Sequence, residues 1–172
     1  MSKPKRIAIV GPECTGKTSL AKALAEHYNT IWVPEFAREY IENLNRPYNQ
    51  HDLVEIAKGQ LLLEDNLTQH AGQLVICDTT LVVIKIWSEF KFGSCDPQIL
   101  QEMHKRNYDL TLLTHIDVPW EHDPQREHPE QREELFNIYI KELKQQRIDF
   151  ALIKGTLTNR LNRATQSIDK LF

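Results

Sequence analysis

The sequence predicts an α/β fold in which helices cover both faces of a doubly wound, five-stranded parallel sheet. Short apolar runs alternate with longer helical patterns along the chain, as expected for strands joined by crossover helices. The strand candidates are continuous apolar runs, which is typical of parallel strands buried on both faces. A length of 172 residues suits one domain with a sizeable core. We therefore expect a single domain over residues 1–172.

The expected strands are five runs rich in Ile, Val, Leu and Thr. In chain order they are RIAIV (6–10), TIWVP (30–34), LVICD (74–78), LTLLTHI (110–116) and IDFALI (148–153). The clearest helical patterns lie between and after them, at 17–27, about 50–71, 130–146 and 158–171.

Charge and composition narrow the classes of partner. The chain has 21 Lys and Arg against 24 Asp and Glu, and a formal charge of -3 argues against a protein that binds nucleic acid. No apolar run approaches the roughly 20 residues of a membrane helix, and the N-terminus lacks a signal-peptide pattern. We therefore expect a cytoplasmic protein with no membrane insertion. The three widely spaced cysteines predict free thiols, and the sequence is compatible with a homo-oligomer.

The run GPECTGKT at residues 11–18 matches the phosphate-binding pattern GxxxxGK[ST]. A strand precedes it and a helix follows, so its N–H groups and the positive end of the helix dipole would face a bound phosphate. The alternative is a chance octapeptide in an ordinary strand-turn-helix. We expect Lys17 to reach the β and γ phosphates and Thr18 to hold Mg²⁺. The predicted nucleotide-binding residues in this run are Gly11, Glu13, Cys14, Thr15, Gly16, Lys17, Thr18 and Ser19.

This loop specifies the fold class as a three-layer P-loop NTPase fold with the kinase-like strand order 2-3-1-4-5. A short lid is expected at about residues 121–134, EHDPQREHPEQREE. Its two prolines and dense mixed charge are typical of a mobile connector that leads into a helix.

An acid at the end of a buried strand is the second expected part of the site. Asp78 ends LVICD and is predicted to position the metal, with an N-cap of the next helix as the alternative. The chain has no NKxD guanine-reading motif, and Thr79 stands where a motor ATPase usually has a water-activating Glu. These features favour a small kinase, in which a substrate hydroxyl attacks the γ-phosphoryl group.

Two further groups suit phosphoryl transfer. Glu35 and Arg38 follow the second strand, where the carboxyl ends of the strands gather around the P-loop. Glu35 can take the hydroxyl proton, or it can simply stabilise a helix N-terminus. Arg126 and Arg132 can stabilise the charge on the transferring phosphoryl oxygens, or they can belong to a solvated charge run. The predicted catalytic residues are Lys17, Glu35, Asp78, Arg126 and Arg132.

With these residues the chain resembles the ribosylnicotinamide kinase domain of NadR-type proteins and the related NadR-like P-loop kinases and ATPases. The resemblance covers nearly the whole chain and includes the P-loop, PEFAREY, VICDTT and VPWEHDPQR, the last of which resembles P-W-x-x-D-G-x-R. It implies that ATP phosphorylates the 5′-hydroxyl of nicotinamide riboside to give nicotinamide mononucleotide for NAD salvage. The base would be Glu35 or Asp78. Pro34 and Pro124 differ from the family pattern, where Trp and Gly stand.

The resemblance also implies the acceptor-binding residues. Trp120 and Tyr40 would stack on a cationic or aromatic ring, or pack as buried aromatics. The helix that carries Asp52 and Gly59 would border the acceptor pocket. Arg160, after the last strand, would pack on the adenine, or lie on the surface of its helix. The predicted substrate-binding residues are Glu35, Arg38, Tyr40, Asp52, Asp78, Trp120 and Asp123.

Two alternative functions stay open at this stage. The chain can be a kinase of another nucleoside or metabolite, or a regulatory module that binds ATP or GTP without efficient phosphoryl transfer. It has no HxGH-type adenylyltransferase signature, so we do not expect it to form NAD by itself.

Overall fold

The computed structural model describes residues 3–172, and its five strands form one all-parallel sheet in the order β2-β3-β1-β4-β5. The predicted fold class and strand order are therefore confirmed. The strands are β1 (Lys5–Val10), β2 (Trp32–Val33), β3 (Leu74–Asp78), β4 (Leu110–Thr114) and β5 (Phe150–Ile153).

Three of the expected strands are shorter than their apolar runs. β2 pairs with β3 only through Trp32 and Val33, because Pro34 has no N–H to donate and leads directly into a helix. The segment before β5 closes the preceding helix instead, since the N–H of Ile148 donates to Leu143 O at 2.9 Å. The fourth run, predicted at 110–116, is also longer than its strand, since β4 ends at Thr114.

Helices cover both faces of the sheet. α1, α3, α6 and α7 match the expected patterns, whereas α2, α4 and α5 were not predicted. The sequence of α4, LVVIKIWSEFKF, is apolar nearly all round and so lacks the periodicity that marks a surface helix. The helices are α1 (Lys17–His27), α2 (Phe36–Glu42), α3 (Gln50–Thr68), α4 (Leu81–Phe92), α5 (Pro97–Lys105), α6 (Arg132–Gln145) and α7 (Leu157–Ile168), with a 3₁₀ turn at Asp169–Leu171.

The core lies on both sides of the central strand β1. Ile7 and Ile9 pack with the apolar face of α1 and with α7, whereas Val10 packs with the cluster built from α2 to α6. The register pairs Ile9 with Asp78. The carboxyl end of β3 therefore lies beside the end of β1, where the P-loop begins.

Two further expectations concern the chain as a whole. Cys14, Cys77 and Cys95 are free thiols, as predicted. Over residues 3–172, no helix is both long enough and apolar enough to cross a membrane.

Gly59 allows α2 and α3 to pack closely. A Cβ at this position would lie 2.1 Å from Cε1 of Phe36, the first residue of α2. The ring of Phe36 therefore occupies the space that any larger residue in α3 would need. This contact packs the first residue of α2, which directly follows Glu35, against α3.

We predict that Gly59→Ala lowers the free energy of unfolding by about 1–2 kcal/mol, because the displaced Phe36 ring costs more than the gain in helix propensity. Gly72→Ala is the control, since a Cβ there meets nothing within 4 Å, and it should change stability by less than about 0.5 kcal/mol. Denaturant unfolding measures both. Equal stability of the two variants would show that Phe36 does not constrain α3.

Candidate active site

The P-loop is a turn that only glycine can complete at two positions. Gly11 has φ +148° and Gly16 has φ +78°. A Cβ on Gly11 would lie 2.4 Å from Oγ1 of Thr114 in β4. Gly16 is the N-cap of α1 and provides no side-chain cap, so the first N–H groups of that helix are available to a phosphate.

Arg160 of α7 binds the backbone of the P-loop. Its side chain is only 2% exposed. The guanidinium donates to Thr15 O at 2.5 Å, Gly155 O at 2.9 Å and His115 O at 3.0 Å, and it pairs with Asp117. The structure therefore excludes the alternative that Arg160 is a surface side chain. Its predicted packing on adenine stays a prediction, since Arg160 is one of the residues that line the cavity described below. Its rigid fork of donors satisfies carbonyl groups that would otherwise be buried without partners.

Lys17 and Thr18 begin α1 beneath the loop. Nζ of Lys17 donates to Gly11 O at 3.0 Å and to Pro12 O at 2.8 Å, so the ammonium group spans the P-loop. The hydroxyl of Thr18 donates to Oδ2 of Asp78 at 2.6 Å. The two predicted metal ligands are thus in direct contact.

Asp78 is buried with one oxygen unused. Among the described residues, Oδ1 of Asp78 has no hydrogen-bond partner. Burial raises the pKa of this carboxyl to about 6, against a smaller opposing effect of the Thr18 hydrogen bond. A cation would supply the missing partner and favour the charged form. The hard oxygen ligands of Thr18 and Asp78 therefore fit Mg²⁺.

The residue after Asp78 is strained. Thr79 has φ +77°, which is a rare conformation for a β-branched residue. Its backbone N–H donates to Ile9 O at 3.1 Å, and its buried hydroxyl has no partner within residues 3–172. Such strain persists where the surrounding structure imposes it, and it clusters at functional sites. In the sequence, Thr79 stands out only as the residue that follows Asp78, and nothing there indicates its strained backbone.

Glu35 is held rigidly at the N-cap of α2. Its own side chain makes no cap hydrogen bond. The buried amide of Gln60 accepts from the N–H of Phe36 at 2.8 Å and donates to Pro34 O at 3.1 Å, so it grips the backbone on both sides of Glu35. The negative charge of Glu35 also acts to raise the pKa of Asp78, which places the two carboxylates in one electrostatic environment. The sequence alone did not identify Gln60.

The P-loop, Glu35 and residues of other elements line a cavity of about 470 Å³, a size typical of small-molecule sites. Asp78 and Gln60 are not part of this lining, and they contact it through Thr18 and the backbone around Glu35. The P-loop and Glu35 form one end. The other end is built largely from α4 and α6, which the sequence did not connect with the site. The apolar and aromatic lining consists of Ala37, Ile41, Val83, Ile86, Trp87, Phe90, Val118, Pro119, Leu135, Tyr139 and Leu157.

The segment 115–131, which we call the connector, runs from β4 to α6 and lies against the P-loop. The carboxylate of Glu13 accepts from the N–H of Glu127 at 3.0 Å and of His128 at 3.1 Å. The thiol sulfur of Cys14 accepts from the N–H of Glu121 at 3.2 Å. The side chains of Glu13 and Cys14 thus bind the connector, while their backbones form the phosphate loop.

The three arginines predicted to bind substrate or phosphate lie in different surroundings. Arg126 lines the cavity, and its guanidinium donates to Glu121 O at 2.5 Å. Arg38 also lines it and pairs with Asp123 at 3.0 Å, so these two predicted substrate ligands bind each other. Arg132 donates to Cys14 O at 2.9 Å at the start of α6.

Five predicted acceptor ligands lie outside the cavity lining, namely Tyr40, Asp52, Asp78, Trp120 and Asp123. The guanidinium carbon of Arg132 lies 5.8 Å from the ring centroid of Trp120. Asp52 belongs to the N-terminal capping box of α3 and accepts hydrogen bonds from Arg46 at 2.7 Å and from Tyr40 at 2.9 Å. The predicted substrate contacts of Tyr40, Asp52 and Trp120 therefore have no support in the geometry, because protein partners already occupy the polar groups of Tyr40 and Asp52.

The chain is similar in sequence to known proteins. A family model described as an AAA domain matches residues 6–160. Two curated relatives are the trifunctional NAD biosynthesis/regulator proteins NadR of Salmonella typhimurium and Escherichia coli, 24% and 25% identical over 158 residues. The alignments cover 87% of this chain but only 38% of each relative. The chain thus spans about two-fifths of their length, and the predicted resemblance to NadR-type proteins is confirmed.

Solved structures share the fold. A NadR protein in complex with NAD and AMP-PNP superposes with a TM-score of 0.77 at 18% identity, over 95% of this chain and 49% of that one. A NadR complex with NR gives 0.75 at 21% identity, over 98% and 49%. Thymidylate kinase from Ehrlichia chaffeensis gives 0.65 at 15% identity, over 99% of both chains.

We predict that Asp52→Asn destabilises the protein by about 2 kcal/mol at pH 7, because Arg46 loses a buried, charged partner. The hydrogen bond from Arg46 holds the pKa of Asp52 far below its usual 3.8. A depressed pKa stabilises the folded state above the unfolded pKa, and this stabilisation is lost as the pH falls. The difference from wild type should therefore shrink as the pH falls from about 4 to 2. Denaturant unfolding across this range is the measurement.

Glu55→Gln is the matched control, since Glu55 lies on the same helix and pairs with Lys58 at the surface. Its effect should be small at every pH. A cost for Asp52→Asn that does not depend on pH would contradict the assigned ion pair.

Proposed function

The chain belongs to the family described as an AAA domain, and we propose that it is an ATP-dependent kinase that phosphorylates a small nucleoside. Nicotinamide riboside is the leading acceptor, with nicotinamide mononucleotide for NAD salvage as the product. The observation that carries the proposal is a cavity lined by the P-loop and Glu35, with the strand-end acid Asp78 hydrogen-bonded to the lining residue Thr18. The NadR relatives, which are named for NAD biosynthesis, support this choice of acceptor.

The nucleotide end would hold MgATP. The N–H groups of the P-loop and the Lys17 ammonium would bind the β and γ phosphates, in place of the carbonyl groups that Lys17 now contacts. Thr18 and Asp78 would hold Mg²⁺, which neutralises phosphate charge when bound. Arg126 would stabilise the charge on the transferring group, and Arg132, which contacts Cys14 O of the P-loop, would add to this effect.

Glu35 is the proposed general base. Asp78 already accepts from Thr18 and would face the metal, whereas the carboxylate of Glu35 lines the cavity. The proton of the acceptor hydroxyl passes to Glu35 as the hydroxyl oxygen bonds to the γ phosphorus. The bond from that phosphorus to the β–γ bridging oxygen breaks, and ADP leaves. Gln60 keeps the carboxylate in register for this transfer.

The predicted lid, about residues 121–134, would exclude water from this reaction, and its last three residues form the start of α6. Its contacts with Glu13 and Cys14 support the proposal, because they tie the lid directly to the phosphate loop. The whole of residues 1–172 would then form one kinase domain. Its cytoplasmic location and its oligomeric state stay predictions.

A kinase of another nucleoside is the second candidate. The fold shared with a deoxyadenosine kinase from M. mycoides, at a TM-score of 0.63 and 15% identity, favours it as the alternative.

We predict that ADP release from MgATP depends on an added acceptor and is stimulated by nicotinamide riboside more than by uridine or a deoxynucleoside. Glu35→Gln should lower kcat about 100-fold or more with little change in ATP affinity, because a general base is lost. Glu39→Gln, at an exposed position on the same helix, is the control and should keep wild-type kinetics. A coupled assay for ADP and calorimetry with an ATP analogue measure these effects. Slow ADP release that ignores every acceptor would refute the kinase proposal, and stimulation by uridine alone would refute only the acceptor.

A second variant tests how Glu35 is positioned. Gln60→Leu should lower kcat roughly 10- to 100-fold, because the backbone around Glu35 loses both of its clamps. The affinity for an ATP analogue should stay within about twofold of wild type, since Gln60 has no contact with the P-loop. Steady-state kinetics and a binding titration at a temperature where the variant is folded separate the two. An unchanged kcat would show that Gln60 has only a structural role.

A further inference from the structure

We propose that Trp87 of α4 binds the flat ring of the acceptor by stacking and so determines which acceptors are accepted. Tyr48 and Glu127 hold its indole in position. This inference rests on the proposed function, because it describes the ring-binding end of the same cavity.

One face of α4 lines the cavity. Val83, Trp87 and Phe90 have the spacing i, i+4, i+7, which places their side chains on one side of a helix. All three keep some exposure, whereas Ile84 and Ser88 on the other side are buried in the protein. An apolar stripe usually packs against another element. Here the stripe lines the same cavity as Glu35, so the rest of an acceptor would lie against it once its hydroxyl reaches the base.

The indole of Trp87 is oriented by a hydrogen-bonded chain that leads away from the cavity. Its Nε1–H donates to the hydroxyl of Tyr48 at 2.9 Å, and that hydroxyl donates to Oε2 of Glu127 at 2.5 Å. Nζ of Lys91 donates to the other oxygen of Glu127 at 2.5 Å and lies 4.1 Å from the Tyr48 ring centroid. The one polar atom of Trp87 is therefore occupied by protein. The Tyr48 ring also packs edge to face with the indole, with centroids 5.0 Å apart. What remains for a ligand is the part of the indole that lines the cavity.

A second aromatic contact borders the same space from the connector. The rings of Phe90 and His128 meet edge to face, with centroids 4.9 Å apart, and both residues line the cavity. The backbone N–H of Glu127 also binds Glu13 of the P-loop. The ring-binding wall is thus tied through Glu127 to both the connector and the phosphate loop.

These features indicate the chemical class of the acceptor ring. An indole surface stacks on any flat heterocycle, and it attracts one that carries positive charge. Glu35 lines the same cavity and favours a cation further. A planar cationic heterocycle, such as the pyridinium of nicotinamide riboside, should therefore bind better than the neutral base of uridine.

Acceptor kinetics test the role of Trp87. Trp87→Ala should raise the KM for nicotinamide riboside roughly 10-fold or more, in line with the loss of base stacking. Its affinity for an ATP analogue should stay within about twofold of wild type, because the P-loop is unchanged. Trp87→Phe should recover part of the loss, and the preference for nicotinamide riboside over uridine should fall in both variants. Trp32→Phe, the same substitution in β2 outside the cavity, is the matched control and should keep the wild-type KM.

Fluorescence provides a readout that a purely structural role would not change. Binding of nicotinamide riboside to the complex with an ATP analogue should quench tryptophan emission in wild type and in Trp32→Phe, but much less in Trp87→Phe. Tyr48→Phe should give a KM between those of wild type and Trp87→Ala, because it removes only the hydroxyl that orients the indole.

The outcomes separate this inference from the proposed function. If nicotinamide riboside stimulates ADP release but the Trp87 variants keep the wild-type KM and quenching, the inference is overturned and the kinase stands. If no acceptor stimulates ADP release but the riboside still quenches Trp87, the kinase proposal fails and the ring site stands. Absence of quenching in wild type overturns the ring site.

Discussion

The P-loop can direct its N–H groups toward a phosphate only if its own carbonyl groups find partners elsewhere. Arg160 supplies a partner from α7, 145 positions along the chain, with a hydrogen bond to Thr15 O. The buried hydroxyls of Thr15 and Thr114 add a second tie, 2.6 Å long, between the loop and β4. A charged side chain is rarely buried without such compensation. Residues of α7 and β4 thus both hold the P-loop in its conformation.

The site also contains buried polar atoms that have no hydrogen-bond partner within residues 3–172. Oδ1 of Asp78 and the hydroxyl of Thr79 lie buried without partners in the described chain, and each such group costs about 1–3 kcal/mol. Three further buried atoms without partners in the part of the chain that the structure describes, on His115, His128 and Arg132, lie between the end of β4 and the start of α6. A bound cation would remove the cost at Oδ1 of Asp78.

The connector and α4 are linked by hydrogen bonds that run between the phosphate end and the apolar end of the cavity. Glu13 joins the P-loop to the connector, and Glu127 joins the connector to Tyr48 and Trp87. The phosphate end and the apolar end of the cavity are therefore parts of one hydrogen-bonded frame. Phosphoryl transfer to a hydroxyl needs this combination, since the acceptor must be held in place while water is excluded.

The sequence by itself determined the α/β fold, the strand order, the P-loop and the acid at the end of β3. The loop motif and the acid are local features, because each is legible in a few consecutive residues, and the strand order was expected from the fold class that they indicate. Only the tertiary structure showed the contacts of Gln60, Trp87 and Arg160. Each acts on a segment distant in sequence, and an amide, an indole or a guanidinium in a helix carries no mark of the group it will meet. The apolar sequence of α4 in particular cannot show which side faces a cavity, because packing alone makes that choice.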